Sequence, residues 1–247
     1  MNETASLPLR AAPPPFACFV TGTDTGVGKS RFSVALLQAL HQAGHARVVG
    51  MKPVAAGAER QADGSWLNED VAALRAASTL AVPAALDNPV VLPMPASPHA
   101  AAAAAGVSIT LPPIVDACRA LQAQADAVVV EGAGGLRVPL SDTLDGGDLA
   151  QALGLPVILV VGLRLGCLNH ALLTAEALAA RGLHLAGWVA NVIEPGMLAA
   201  AANVEHLQAR LPAPLLAHWP WAPGTPPPAP DVRPLLQSGA GWPRPSA

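Results

Sequence analysis

The segment FVTGTDTGVGKS, at residues 19–30, ends in a lysine and a serine that could bind a phosphate group and a metal ion. In a phosphate-binding loop, backbone N–H groups and the helix dipole attract phosphate oxygens, the lysine neutralises them, and the hydroxyl contacts Mg²⁺. The usual pattern G-x-x-x-x-G-K-[ST] places its first glycine at position 23, but here Thr23 stands there and Gly22 comes one position earlier. Because the context is strand, loop and helix, Lys29 and Ser30 predict a phosphate-binding loop with a shifted glycine; a plain helix start is the alternative.

Lysine is scarce in this chain, which contains only Lys29 and Lys52 against twelve arginines. A compact ammonium on a flexible stem fits between phosphate oxygens in a tight loop, where a planar guanidinium does not. Both lysines follow apolar runs and lie in short turns that contain glycine or proline. This placement favours a functional role for both, with an ordinary loop lysine as the alternative for Lys52.

Two carboxylates, Asp70 and Glu131, are candidates for a metal site. Glu131 directly follows three valines, and a carboxylate that leaves a buried strand is costly unless it is paired or bound to a metal. Asp70 follows Asn68, a plausible N-cap, and by itself is better explained as a first-turn acid that stabilises its helix. Mg²⁺ prefers hard oxygen ligands and keeps several waters, so a few protein oxygens suffice to hold it.

The segments around these residues alternate between strand and helix patterns. The predicted strands are 17–21, 47–50, 127–130, 156–161, 185–190 and a short one near 215. The predicted helices are 29–43, one that begins at 68, 100–105, 112–124, 169–180 and 197–210. Because the strands are continuous apolar runs, they predict an α/β fold with a single parallel β-sheet covered by helices on both faces. Together with the phosphate-binding loop, this arrangement resembles that of P-loop NTPases. Polar residues that follow the strands then collect at the carboxyl edge of the sheet.

Composition limits the domain organisation and the partners. The 247 residues, 52% hydrophobic and 13% charged, suit one α/β domain, which we expect at 16–222 between flexible tails at 1–15 and 223–247. A net charge of -3 without a basic stripe argues against nucleic acid as a partner. The chain shows no secretory signal pattern, no apolar run of the ~18–20 residues that span a bilayer, and no CxxC pair among its three cysteines. We therefore expect a cytoplasmic protein without a membrane partner.

The motifs, taken together and in this order, resemble the dethiobiotin synthetase family. The resemblance is carried by GTDTGVGKS with its shifted glycine, GMKPVAAG (the family's KPVxSG), LNEDVAAL, SPH at 97–99, VVVEGAGGLRVPLSDT, PVILVVGLRLGCLNHALLT and LAGWVANV. It extends from about residue 16 to residue 221. EGAGG alone would be a weak signal, because related amidotransferases and ATPases carry similar strings, but the full set is specific.

The resemblance implies an ATP-dependent ligase of biotin biosynthesis that closes the ureido ring of dethiobiotin. In that family 7,8-diaminononanoate takes up CO2 as a carbamate, ATP phosphorylates it to a carbamic-phosphoric anhydride, and the second amine displaces phosphate. Lys29 would serve the β- and γ-phosphates, and Lys52 would hold the carbamate and the transferred phosphoryl group, so these two are the expected catalytic residues. Ser30, Asp70 and Glu131 would bind Mg²⁺, and the enzyme would be a homodimer.

The resemblance also assigns residues to the nucleotide and to the diamine. The expected ATP contacts are Thr25, Gly26, Val27, Gly28, Lys29, Ser30, Asp70, Glu131, Gly132, Ala133, Gly134, Asn191, Val192, Pro220 and Trp221. The expected diamine contacts are Lys52, Ala56, Leu165, Gly166 and Asn169, the last three across a dimer interface. Asn191 would pair with the adenine edge through its amide, although an Asn that only ends a strand is the alternative. Asn169 is explained equally well as an ordinary N-cap.

Two positions depart from the family pattern. Gly26 stands where many relatives carry Glu, and its backbone can still contact phosphate. Ala56 stands where KPVxSG has Ser, and we expect the missing hydroxyl to remove a hydrogen bond of about 0.5–1.5 kcal/mol. Such a loss lowers the rate several-fold without changing the class of reaction.

Two other functions fit part of the sequence. A nucleotide-switch ATPase of the partitioning or septum-positioning type shares an irregular loop and a similar sheet. Those proteins typically carry a signature lysine early in the loop and a basic or amphipathic attachment segment, and residues 23–25 contain no lysine. A cobyric-acid-type amidotransferase would need a glutaminase domain, for which the chain is too short.

Overall fold

A six-stranded parallel sheet forms the centre of the computed structural model, which describes residues 13–237. Within these residues the strands are β1 (Phe16–Gly22), β2 (Val48–Met51), β3 (Val54–Ala56), β4 (Glu59–Arg60), β5 (Trp66–Leu67), β6 (Val90–Leu92), β7 (Ala127–Gly135), β8 (Val157–Leu163), β9 (Leu185–Val192) and β10 (Leu215–Trp219). The helices in the same part of the chain are α1 (Lys29–Gln42), α2 (Glu69–Ala77), α3 (Ala84–Asp87), α4 (Pro98–Ala105), α5 (Leu111–Gln124), α6 (Gly146–Leu153), α7 (Cys167–Ala180), α8 (Ala200–Arg210) and α9 (Arg233–Gln237).

The order of the strands places a crevice beside β1. The sheet runs β10-β9-β8-β1-β7-β2, and every neighbouring pair is parallel. From β1 the chain continues to β2 on one side, and later to β8, β9 and β10 on the other side. In such sheets, ligands bind beyond the carboxyl ends of the strands, where the order reverses. The loops that follow β1, β2 and β7 are therefore the expected walls of a site.

Helices cover both faces of the sheet, as predicted from the doubly apolar strands. In β1, Ala17 and Phe19 belong to a core shared with α5, α6, α7 and α8, while Cys18 and Val20 belong to a second core shared with α1 and α9. Successive side chains of a strand point to opposite faces, so one apolar run supplies both cores. The predicted α/β fold is confirmed. No helix within residues 13–237 is long and apolar enough to cross a membrane.

Two small sheets were not predicted. β3 pairs with β6 in parallel and β4 pairs with β5 in an antiparallel hairpin, each through two or three residues per strand. Strands this short carry no readable alternation of apolar and polar residues. Val54 and Ala56 of β3 line a cavity at the edge of the main sheet.

The last described segment packs against the sheet, which corrects the prediction of a flexible tail from residue 223. Asp231 N–H donates to the Leu216 carbonyl at 2.8 Å, Trp219 Nε1–H donates to the Pro228 carbonyl at 3.1 Å, and Leu235 is 2% exposed. The prediction failed because it relied on the high proline content of the segment. The segment also contains apolar side chains, and these pack on the face of β9 and β10. Of the two predicted tails, residues 1–12 and 238–247 lie outside the described residues.

Because α9 packs on the core through Leu235, we expect this helix to contribute to the free energy of unfolding. Leu235→Ala should lower the free energy of unfolding by about 2–5 kcal/mol, because it removes a buried side chain and leaves a cavity. Leu198 is 90% exposed and offers a matched control, since Leu198→Ala should change stability by less than about 0.5 kcal/mol. Urea unfolding followed by circular dichroism measures both. Equal midpoints for the two variants would mean that α9 does not hold the fold.

Candidate active site

The loop between β1 and α1 explains the shifted glycine. Gly22 is the last residue of β1, and a Cβ atom there would lie 2.7 Å from Cγ2 of Val27, which folds back over it. Gly28 precedes α1 with a φ of 97°, and a Cβ there would lie 2.4 Å from Nδ2 of Asn191. Glycine is therefore required at both ends of the loop, where the backbone approaches its neighbours closely and, at Gly28, has a positive φ.

Lys29 turns back over this loop. Its Nζ donates to the carbonyl oxygen of Asp24 at 3.0 Å, and the side chain is almost completely buried. Burial, followed by the positive charge of Lys52, lowers the pKa of Lys29 to about 8. The ammonium group is therefore held inside the loop, where an anion would be the partner that restores its usual pKa.

Four side chains from four elements meet at the carboxyl edge of the sheet. The hydroxyl of Ser30, at the start of α1, lies 2.6 Å from Oδ1 of Asp70 and 2.7 Å from Oε1 of Glu131. Nζ of Lys52, just after β2, lies 2.9 Å from Oδ2 of Asp70 and 2.5 Å from Oε1 of Glu131. Lys52 and Glu131 are both buried. Lys52 and the two acids singled out in the sequence thus occupy one place, and Lys29 is close enough for their charges to affect its pKa.

The ion pairs keep this cluster charged. Burial would lower the pKa of Lys52, but Glu131 and then Asp70 outweigh it and raise the pKa above the ordinary value. Burial would raise the pKa of Asp70, but Lys52 and the Ser30 hydroxyl outweigh it and lower that pKa. At neutral pH Lys52 is therefore an ammonium beside carboxylates, and not a neutral base.

The oxygen atoms of this cluster suit a hard divalent cation. Ser30, Asp70 and Glu131 bring a hydroxyl and two carboxylates within hydrogen-bonding distance. Oε2 of Glu131 is buried and has no hydrogen-bond partner among residues 13–237. Within residues 13–237, no three His, Cys, Asp or Glu side chains cluster as metal ligands. A cation here would thus be held by few protein oxygens together with water and phosphate, which is typical of Mg²⁺.

A cavity of about 440 Å³ opens beside the cluster. Its lining residues are Thr25, Lys52, Val54, Ala56, Asn68, Asp70, Pro95, Ala96, Ser97, Pro98, Ala133, Gly134 and Val138. Asn68 was predicted only as an N-cap. It does accept from the N–H of Asp70, and its Nδ2 also donates to the carbonyl of Ala56 at 3.0 Å, so it joins the two sides of the cavity. Its N-cap position was the only sign of this role in the sequence.

The glycine turn in β7 brings backbone close to the loop. A Cβ at Gly132 would lie 2.8 Å from the ring of Phe19, and one at Gly134 would lie 3.4 Å from Oγ1 of Thr25. Ala133 and Gly134 line the cavity between these contacts. This segment is therefore tightly packed on Phe19 and also exposed to the cavity, and its contact with a nucleotide stays a prediction.

Asn191 is engaged with the loop. Its Nδ2 donates to the carbonyl of Val27 at 2.9 Å, while Oδ1 is buried and finds no hydrogen-bond partner in the described part of the chain. Val192 follows it half-buried at the end of β9. The amide that was predicted to pair with adenine thus uses one of its donors to hold the loop, and the adenine contact stays a prediction.

The start of α7 lies apart from the cavity. Leu165 is 91% exposed, Gly166 precedes the helix with a φ of 93°, and α7 begins at Cys167. Asn169 is therefore the third residue of the helix, and its interpretation as the N-cap is wrong. The neighbouring Arg164 contacts the phosphate loop, since its Nη2 lies 2.6 Å from Oδ2 of Asp24.

The segment after β10 packs against the start of α1. Pro220 and Trp221 are exposed, whereas the Trp219 ring is buried with the guanidinium of Arg31 at 5.4 Å from its centroid. Arg31 also donates to the carbonyl of Thr225 at 2.9 Å. Arg31 therefore links the loop helix to this segment, a role that no motif in the sequence indicated.

Known proteins resemble this chain in sequence over most of its length. A family model for an AAA domain matches residues 17–229. The chain is 58% identical over 218 residues to the ATP-dependent dethiobiotin synthetase BioD of Ralstonia nicotianae, which covers 88% of this chain and 92% of that protein. It is 56% identical over 213 residues to the enzyme of the same name from Aromatoleum aromaticum, covering 86% of this chain and 94% of that one.

Solved structures resemble it in fold. The MinC:MinD cell division protein complex of Aquifex aeolicus matches with a TM-score of 0.53 and 15% identity, over 84% of this chain and 82% of that one. A ParA family ATPase from Chlorobium tepidum matches with a TM-score of 0.53 and 13% identity, over 85% of this chain and 86% of that one. At these identities the similarity shows the shared fold alone.

The lowered pKa of Lys29 predicts that a triphosphate binds with uptake of a proton. A bound anion raises this pKa, so affinity should fall as the pH rises above about 8, where Lys29 of the free protein loses its proton. Calorimetric titration with Mg-ATP at pH 8 to 9, in two buffers of different ionisation enthalpy, measures the uptake. In Lys29→Arg the uptake should vanish, because guanidinium does not titrate there. Equal uptake in that variant would assign the proton to another group.

Proposed function

Since the chain belongs to the dethiobiotin synthetase family, we propose that it performs that family's reaction with the residues gathered at the carboxyl edge of the sheet. The reaction joins 7,8-diaminononanoate and CO2 at the expense of ATP and closes a cyclic urea. The observation that carries the assignment of roles is the ion-paired cluster of Lys52, Asp70 and Glu131 beside one cavity. Lys29 is close enough to this cluster for its pKa to respond to it. The chain is 58% and 56% identical in sequence to two dethiobiotin synthetases over most of its length, which favours this reaction. A nucleotide switch is supported only by similarity of fold.

The loop binds the triphosphate. Backbone N–H groups of Thr25, Gly26, Val27 and Gly28 precede α1, whose N-terminus favours an anion. Lys29, already confined inside the loop, neutralises the β- and γ-phosphates. Asn191 holds the Val27 carbonyl and, with Val192, Pro220 and Trp221, forms the base-binding side.

Ser30, Asp70 and Glu131 are the proposed Mg²⁺ ligands. When bound there, Mg²⁺ supplies positive charge to the phosphate oxygens that gain negative charge during transfer. The unpartnered Oε2 of the buried Glu131 supports this role, since a buried carboxylate oxygen otherwise lacks compensation.

Lys52 acts where the two anions meet. A carbamate and a triphosphate repel each other, and an ammonium between them offsets this repulsion and stabilises the charge of the transferred phosphoryl group. The carbamate oxygen bonds to the γ-phosphorus as the bond to the bridging oxygen of ADP breaks. The second amine then bonds to the carbamate carbon, the bond to phosphate breaks, and the nitrogen loses its proton.

The cavity beside Lys52 receives the diamine. Ala56 presents a methyl group where relatives have a hydroxyl, so the carbamate is held with one hydrogen bond fewer. Ala133 and Gly134 line the same cavity, and Gly132 precedes them in β7. The extended carbon chain of the substrate reaches beyond one protomer, and Leu165, Gly166 and Asn169 of a second protomer in a homodimer bind its distant end. The exposure of Leu165 supports such an interface.

A cytoplasmic location completes the proposal. Cys18, Cys118 and Cys167 are all free and buried, which suits a reducing compartment. The substrates are small molecules, and neither nucleic acid nor a membrane is needed.

The reaction is tested by incubating the protein with diaminononanoate, bicarbonate and Mg-ATP and detecting the cyclic urea by mass. We expect product that depends on all three and on the metal, with chelation stopping the reaction. The control omits the diamine and measures ADP. ATP hydrolysis that proceeds equally without the diamine would contradict the ligase assignment and favour a nucleotide switch.

Lys52→Arg should reduce turnover by about 10²–10³-fold, because a planar guanidinium cannot occupy the narrow position between Asp70 and Glu131. ATP affinity should change little, since the loop is intact. Lys29→Arg is the matched comparison and should weaken ATP binding. Steady-state kinetics with direct nucleotide titration measures both, and a Lys52→Arg enzyme of full activity would refute the role of Lys52.

A further inference from the structure

The backbone of Lys52 is held from both sides by residues 87–89, the end of α3 and the turn that follows it, which we call the 87–89 loop. Lys52 N–H donates to the Asp87 carbonyl at 2.7 Å, and the Lys52 carbonyl accepts from Nδ2 of Asn88 at 2.6 Å. Lys52 follows β2 and precedes β3, in a different sheet, so no strand ladder includes it. The 87–89 loop therefore supplies both hydrogen bonds to the backbone of Lys52, at the point where the chain leaves the main sheet.

That loop is itself fixed to the helix that carries Asp70. The buried carboxylate of Asp87 accepts from Nε of Arg75 at 2.6 Å and from Nη2 at 2.7 Å. Paired N–H donors of this kind set both distance and orientation. Arg75 lies in α2, whose first turn contains Asp70, and Asp70 contacts Nζ of Lys52. The contacts thus form a closed circuit from Lys52 through Asn88, Asp87, Arg75 and Asp70 back to Lys52.

We infer that Arg75, Asp87 and Asn88 are positioning residues for the phosphoryl-transfer step, which act by holding the backbone of Lys52 and by tying it to α2. The inference rests on the proposed role of Lys52. A lysine side chain has four rotatable bonds, so a fixed backbone is needed before its ammonium group has a defined place. A displacement of about 1 Å in a reacting group reduces rates by about 10²-fold.

The location of Asn88 supports a role in positioning Lys52, in addition to any contribution to the stability of the fold. It is 5% exposed, and its amide also donates to the Val90 carbonyl at 3.2 Å. Burying an amide is unfavourable unless its hydrogen bonds are made. Here the shortest of them is made to the residue whose side chain enters the cluster, and the same loop leads through β6 to the 95–98 wall of the cavity.

The kinetic test compares two substitutions with a matched control. Asn88→Ala removes the donor to the Lys52 carbonyl, and Asp87→Asn breaks the pair with Arg75 while keeping its backbone contact. The control is Asp126→Asn, which breaks another Arg–Asp pair, to Arg47 at 2.8 Å, at the opposite end of β7. We expect kcat to fall about 10–10²-fold in the first two, with ATP affinity unchanged and the fold retained, and to stay unchanged in the control.

A spectroscopic test reports on Lys52 directly. Because the chain has two lysines, protein labelled with ¹⁵N-lysine shows two Nζ signals, and Lys52→Arg identifies one of them. Asn88→Ala and Asp87→Asn should shift the Lys52 signal more than the Lys29 signal, and Asp126→Asn should move neither.

Unchanged kcat in both test variants, an equal loss in Asp126→Asn, or an unmoved Lys52 signal would each overturn the inference. If Asn88→Ala does not fold, Asp87→Asn alone decides. Absence of the urea product with the wild-type protein would refute the proposed function instead, and the Nζ signals would still show whether the loop positions Lys52.

Discussion

The contact between the ammonium of Lys52 and the carboxylate of Glu131 is the interaction that organises the site. Glu131 is completely buried at the end of three valines, so its charge requires a cation at hydrogen-bonding distance. The sheet supplies that cation, because β2 and β7 are neighbours in parallel register and their carboxyl ends deliver Lys52 and Glu131 side by side. Since β1 pairs with β7 on its other side, Ser30 arrives at the same place.

Much of this arrangement could be predicted from the sequence. Continuous apolar runs predicted the parallel sheet, because strands buried on both faces need no alternation, and the scarcity of lysine pointed to Lys29 and Lys52. The structure was needed to explain why the first glycine of the loop is at position 22, because Val27 packs over Gly22 and leaves no room for a side chain there. The roles of Asn68 and Arg31 could not be predicted from the sequence either. Each donates to the backbone carbonyl of a residue elsewhere in the chain, Ala56 and Thr225 respectively, and a backbone carbonyl leaves no pattern in the sequence.

The errors have physical causes as well. Asn169 has a side chain typical of N-caps, but the positive φ of Gly166 starts α7 earlier. The segment after residue 223 is rich in proline and was expected to be flexible, yet Leu235 and the Trp219–Pro228 hydrogen bond attach it to the sheet edge. The first cause is local, because Gly166 lies only three residues before Asn169. In the second case, local composition was overridden by packing against strands that the local sequence does not contain. β3 and β6 were not predicted because each has three residues, too few to show the alternation of apolar and polar side chains that marks a strand.

The phosphate loop lies near the start of the sequence, whereas the residues that hold it in place lie far along the chain. Ser30 is joined to Glu131 across 101 positions, and Val27 to Asn191 across 164 positions. A growing polypeptide on the ribosome has therefore synthesised the loop long before it possesses the residues that give the loop its shape. The final geometry of the loop, and any binding that depends on that geometry, therefore requires that β7 and β9 have already joined the sheet.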